Sequence, residues 1–105
     1  MVPTELCKRW GGGGTDPTVR EMRSALAELD VQDPEHPDCW LSDGSGWTIA
    51  AYESGEVVLE NVESGEGPWH LLKAHREIIV ELWLALQRGD LRTIRKYDWQ
   101  EGYGS

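Results

Sequence analysis

Several short constellations in this chain contain residue types that chemistry uses. His36-Pro37-Asp38-Cys39 groups ligand-type side chains within four positions, with His70 and His75 further on. The spacing matches no established zinc pattern, because a second closely spaced ligand pair is missing. No metal is therefore expected. Gly11-Gly12-Gly13-Gly14 stands before a helix start, as a phosphate-cradling loop does. It lacks the Lys-Ser/Thr ending that reaches phosphate and magnesium, so a flexible connection is expected instead. Ser45, within Gly44-Ser45-Gly46, falls at a turn between strands and not at the strand-to-helix elbow of a hydrolase. Arg88-Gly89-Asp90 has the form of an adhesion tripeptide, but a helix end, its glycine stop and the next cap account for all three residues. Carboxylates are abundant, yet nothing marks two of them as an acid/base pair with separated pKa values. The sequence assigns no catalytic residue and no cofactor, and the chain is read as a non-enzyme.

The distribution of those carboxylates carries more information. The chain has 105 residues and a formal charge of -9. From Ser24 to Leu72 there is no Lys or Arg, while the same 49 positions hold eleven Asp and Glu. The two flanking segments each carry a net charge of only +1. Such a segment repels itself, which costs stability. It also fits a docking face for a basic protein, where complementary charge speeds encounter and selects the partner. A pI near 4.6 argues against gripping nucleic acid by its phosphates, which needs a cationic face. No run of 18 apolar residues is present, so no membrane span is expected. The first ten residues lack the apolar stretch of a signal peptide, and a cytoplasmic location is the expectation. Without a secretory context, Cys7 and Cys39 are read as free thiols, although a disulfide stays open.

The elements that must position these groups follow from periodicity. Residues 3–10 read as a short edge strand with Leu6 and Trp10 inward, followed by the glycine loop. Asp16 is the expected cap and Pro17 the first position of a helix over 17–29, with Val19, Met22, Leu26 and Leu29 on one face. Pro34 and Pro37 forbid its continuation. Strands are predicted at Cys39–Leu41, Trp47–Tyr52, Val57–Val62 and Trp69–Leu72, joined by turns at Asp43–Gly46 and Glu53–Glu56. A second helix over Ala74–Arg88 presents Ile78, Ile79, Leu82, Trp83 and Leu86, with His75 as a further member of the stripe. Asp90 then caps a short turn, and the aromatic tail Tyr97–Tyr103 packs back. This order predicts one α+β domain over residues 1–105. Its antiparallel sheet has about four strands, two helices lie on one face, and the other face is open to solvent. Trp40, Trp47 and Trp83 are read as core. Trp69 and Trp99 are less constrained, and Trp99 is assigned to the rim of the sheet.

From about residue 16 to 100 the chain resembles immunity proteins of bacterial polymorphic-toxin systems, in particular the small α+β group that includes inhibitors of nucleic-acid-deaminase toxins. The resemblance lies in a helix followed by Cys39-Trp40-Leu41, the strand from Trp47 with Ser54-Gly55 at its turn, the closing helix Glu77–Leu86, Gly89-Asp90 and Trp99. The glycine run and the Tyr103 tail depart from it. The resemblance implies a protein that silences a cognate toxin by covering its active site or groove, without chemistry of its own. Carboxylates placed where phosphates would lie suit a toxin's basic groove. The partner-binding residues expected on this reading are Asp43, Glu53, Glu56, Glu60, Glu63, Glu66 and Trp69. The partner is a basic toxin domain, with no direct nucleic-acid contact and no membrane contact. Two alternatives share part of this evidence: an acidic DNA mimic, such as a phage-encoded inhibitor of a host nuclease, and a small enzyme using carboxylates.

Overall fold

A computed structural model describes residues 3–103. The chain is α+β. Seven strands form one antiparallel sheet, β1 (Glu5–Cys7), β2 (Gly13–Thr15), β3 (Asp38–Ser42), β4 (Trp47–Tyr52), β5 (Val57–Asn61), β6 (Trp69–Leu71) and β7 (Gln100–Glu101). Their spatial order is β2-β1-β3-β4-β5-β6-β7. Helix α1 (Val19–Ala27), continued by a 3-10 turn at Glu28–Asp30, links β2 to β3 across the back of β1. Helices α2 (Arg76–Gln87) and α3 (Leu91–Arg95) link β6 to β7.

The sheet is wider than the about four strands expected, and two of its strands, β2 and β7, have no counterpart among the predicted ones. The glycine run is not a loose connection: Gly13–Thr15 pairs with β1, Gly14 opposite Leu6. Gly13 has φ +121, and a Cβ there would lie 1.8 Å from the Leu6 carbonyl oxygen, so this close approach of two backbones requires glycine. At the other edge, the tail supplies β7, which pairs Gln100 with His70. The cap of α1 also differs from expectation. Thr18 accepts a bond from the Glu21 N–H while the Glu21 side chain returns to the Thr18 N–H, a reciprocal capping box. Asp16 instead sits at φ +49 and accepts from the Thr4 N–H and hydroxyl, tying the β2 end to the start of β1. His75 is the residue preceding the first turn of α2 and is exposed, off the apolar stripe.

Both central hairpins use one device. The Asp43 N–H bonds the Trp47 carbonyl and the Gly46 N–H bonds the Asp43 carbonyl; Tyr52, Gly55 and Glu56 repeat the pattern. Each is a three-residue loop ending in a glycine with positive φ, which matches the twist of the flanking strands. At Gly46 a Cβ would also lie 2.5 Å from Asn61 Oδ1.

Alternation along these strands then divides the sheet into two faces. Leu6, Cys39, Leu41, Trp47, Ile49, Ala51, Val57 and Leu59 point toward the helices and join Met22, Leu26, Ile79, Leu82, Trp83, Leu86 and Ile94 in one core. Trp83 is fully buried, and its Nε1 donates to the Ile49 carbonyl at 3.0 Å, pinning α2 to the middle strand. Cys7 and Cys39 are both free thiols and occupy adjacent strands on opposite faces. Among the described residues no helix is long and apolar enough to cross a membrane.

Candidate functional site

The face turned away from the helices presents an ordered arrangement that the pairing register makes explicit. Asp38 lies opposite Tyr52, and Tyr52 closes the hairpin against Glu56. One step along, Cys7, Trp40, Ala50, Val58 and His70 line up across five strands. One step further come Glu5, Ser42, Thr48 and Glu60. A row that is apolar up to His70 at its end therefore runs between two carboxylate-bearing rows. A groove of about 450 Å³ follows β3 and β4 along this face. Its floor is built from small residues, Ser42, Thr48 and Ala50, and its sides from Asp38, Trp40, Tyr52 and Glu60, with Asp43 and Glu63 at one end. No Lys or Arg lines it.

The electrostatics follow from that composition. Burial pushes the Asp38 carboxyl above the ordinary aspartate range, and the hydrogen bond to its own backbone N–H offsets this only in part. Burial, then the charges of Asp38, Glu56 and Glu60, pushes the Tyr52 phenol up as well, so three carboxylates act on one ring. One Glu56 carboxylate oxygen, Oε2, is buried with no hydrogen-bond partner among the described residues. Glu60 accepts from the Tyr103 hydroxyl at 2.9 Å. The tail reaches it by lying against β6, where the Gly102 N–H bonds the Pro68 carbonyl and His70 Nδ1 bonds the Gly102 carbonyl at 2.8 Å.

A carboxyl with a folded pKa above its unfolded value weighs against the folded state once pH exceeds both values. Asp38→Asn should therefore stabilise the protein at neutral pH, and the gain should shrink as pH falls and Asp38 itself takes up a proton. Urea denaturation of both proteins at several pH values checks this. A gain that is absent at pH 7, or that persists unchanged at pH 3, contradicts it.

The seven residues expected to bind a partner do not form one surface. Glu56, Glu60, Asp43 and Glu63 belong to the open face or its end. Asp43 has a structural duty there: its Oδ1 accepts from the Ser45 N–H, the Ser45 hydroxyl and the Trp47 N–H and so shapes the turn. Glu53 points elsewhere. It pairs with Arg9, whose side chain is fully buried, and accepts from the Asp33 N–H at 2.8 Å. Glu66 and Trp69 line a separate cleft of about 360 Å³ on the helix side, with Leu59, Arg95, Tyr97 and Trp99. Trp69 stacks on Trp47, ring centroids 6.4 Å apart, and its half-buried body belongs to the rim of the core.

Conversely, Asp38, Trp40 and Tyr52 were not among the expected partner-binding residues. Trp40, read as core from sequence, is half-buried on the open face. Its strand carries Cys39 and Leu41 inward and Asp38 and Ser42 beside Trp40 outward, a polar alternation that could have identified it. Trp10, expected inward, is 49% exposed, and its indole donates to Asp33 Oδ2 at 2.6 Å. Trp99 does lie at the rim, its Nε1 donating to the Ile94 carbonyl at 2.7 Å. Among the described residues no cluster of three or more His, Cys, Asp or Glu is arranged to hold a metal ion. Comparison with protein-family models, with curated proteins and with solved structures returned no match.

Proposed function

We propose that this chain is an immunity protein, which binds a cognate bacterial toxin acting on nucleic acid and neutralises it by laying the open acidic sheet face over the toxin's basic active-site region. The observation that carries the reading is the groove along β3 and β4, lined by Asp38, Glu60, Asp43 and Glu63 and by no basic residue. A sheet face left without helices needs no backbone rearrangement to receive another protein. Its half-buried carboxylates are worth more to a cation than freely exposed ones. At 4 Å a charge pair contributes about 4 kcal/mol near a protein surface at an effective dielectric of 20, against about 1 in bulk water. The aromatic rings of Trp40 and Tyr52 supply the apolar anchors that protein interfaces favour.

The test is co-expression with the product of the adjacent open reading frame, expected to be a basic toxin domain, followed by titration calorimetry in low and high salt. Reversing charge at Asp38, Glu56 and Glu60 together should weaken a one-to-one complex by about 100-fold or more and flatten its salt dependence. Glu66→Lys, on the helix side, should change affinity less than about threefold. Unchanged affinity in the triple variant would sink the proposal.

A further inference from the structure

The open face holds more than a diffuse negative field. Trp40 and Tyr52 stand on adjacent antiparallel strands, Trp40 opposite Ala50 and Tyr52 opposite Asp38, so the two rings are diagonal neighbours. Diagonal positions on one face are roughly 7–8 Å apart at the backbone, within reach of aromatic side chains. Ala50, directly opposite Trp40 and two residues before Tyr52 on β4, has a small side chain that leaves the groove floor low. Asp38 stands two residues before Trp40 on the same strand face, and Glu56 and Glu60 bring their charges to the same ring of Tyr52. Asp38 and Glu60 line the groove directly, and among the described residues no Lys or Arg does. The place has aromatic walls and an acidic surround.

We propose that this groove is an arginine-anchoring pocket, in which a guanidinium of the partner protein lies beside the Trp40 and Tyr52 rings and is bonded by the carboxylates of Asp38 and Glu60. The inference rests on the open face being the docking surface and names the side chain that it receives. Guanidinium rather than ammonium fits for a physical reason. It is planar and weakly hydrated, it stacks on aromatic faces, and its five N–H donors can serve several carboxylate oxygens at once. An ammonium is a compact, strongly hydrated point charge that gains little from flat walls. Groups that recognise and cleave or modify phosphate-bearing substrates rely on the same arginine chemistry, so such a pocket would capture a residue that the toxin's groove must present.

The probe is N-acetyl-arginine amide, titrated into the full isotope-labelled chain at low salt, with N-acetyl-lysine amide at equal charge as the comparison. The Trp40 indole and the Asp38, Ala50 and Tyr52 amide signals should shift saturably with the arginine probe, with an apparent affinity about fivefold or more above that of the lysine probe. Ala50→Leu, which fills the floor without altering charge, should weaken the arginine probe by about tenfold. Asp38→Asn, an isosteric change that spares the fold, should weaken it by about fivefold. Equal response to the two probes, or an Ala50→Leu variant with a native amide spectrum and unchanged arginine affinity, would overturn the pocket. Those results leave the toxin titration of the charge-reversed face untouched, so failure of the pocket and failure of the docking surface are read separately.

Discussion

Arg9→Met should lower the unfolding free energy by about 3–5 kcal/mol, the usual cost of removing one member of a buried ion pair. The side chain of Arg9 is fully buried although it sits beside an exposed tryptophan. Nε donates to the His36 carbonyl at 2.9 Å, Nη1 to the carbonyls of Glu28 and Val31 at 2.6 Å each, and Nη2 to the Asp33 carbonyl at 3.1 Å and to Glu53. These five bonds use the full donor set of a guanidinium. Four of the acceptors are backbone carbonyls of the segment between α1 and β3. That segment holds two prolines and no regular structure beyond its first turn, so one side chain takes the place of a ladder. Met retains the apolar stem but withdraws the guanidinium from all five acceptors; Glu28, Asp33 and Glu53 keep a backbone N–H donor, so the loss falls hardest on the Val31 and His36 carbonyls. Lys cannot spread its bonds over this set, because its three donors radiate from one atom, so Arg9→Lys should recover only a minor part of the loss. Equilibrium urea denaturation checks both variants. A loss below about 1 kcal/mol for Arg9→Met would mean that water replaces the guanidinium without difficulty. Glu53→Gln should behave as a milder form of the same defect. On the proposed reading it should change affinity for the toxin only through stability, which separates Glu53 from Glu56, three residues away.

Trp83→Ala should be about as damaging, by 3–5 kcal/mol, since it empties the largest fully buried side chain from the centre of the core. Trp83→Phe is more discriminating. It retains most of the apolar contact but withdraws the indole N–H from the Ile49 carbonyl, for which a loss of about 1–3 kcal/mol is expected. The Ile49 residue is on β4, whose outward neighbours Thr48 and Ala50 form the groove floor. Anchoring of α2 through Trp83 therefore supports the open face from behind. For a protein of this size, whose whole stability is about 5–15 kcal/mol, either loss is a large share. Thermal and urea unfolding measure it. A Trp83→Phe protein as stable as the parent would show that packing alone holds the helix on the sheet.

On the proposed reading, the two faces of the sheet divide function from stability. The helix-covered face is apolar and packed, and substitutions there act on folding. The open face gains little for stability from its carboxylates, and burial works against Asp38. A cluster of partly buried, unpaired acids is costly to the isolated chain and becomes favourable when cations arrive. On the proposed reading, the affinity for a basic partner has its source in that imbalance.

Local pattern was enough for much of the architecture. The 3.6-residue stripe of Ile79, Leu82, Trp83 and Leu86 marks α2, and the alternation of Trp47, Ile49 and Ala51 marks the inner face of β4, because both are set by which neighbours share a side of one element. Gly55 and Gly46 mark the hairpins for an equally local reason, the need for positive φ. The acidic middle without a single basic residue is also a property of the sequence by itself. Tertiary structure alone decided where those acids went. Glu53 and Glu56 sit three residues apart at one hairpin. The first is drawn away by Arg9, 44 positions earlier, while the second is left facing Tyr52. A run of four glycines carries no side-chain pattern, so only the approach of β1 shows it to be the edge of a sheet. Trp40 could serve either side of its strand on hydrophobicity alone. The helices settled the matter by covering the side of Cys39 and Leu41, and that choice turned an apparent core residue into a wall of the groove.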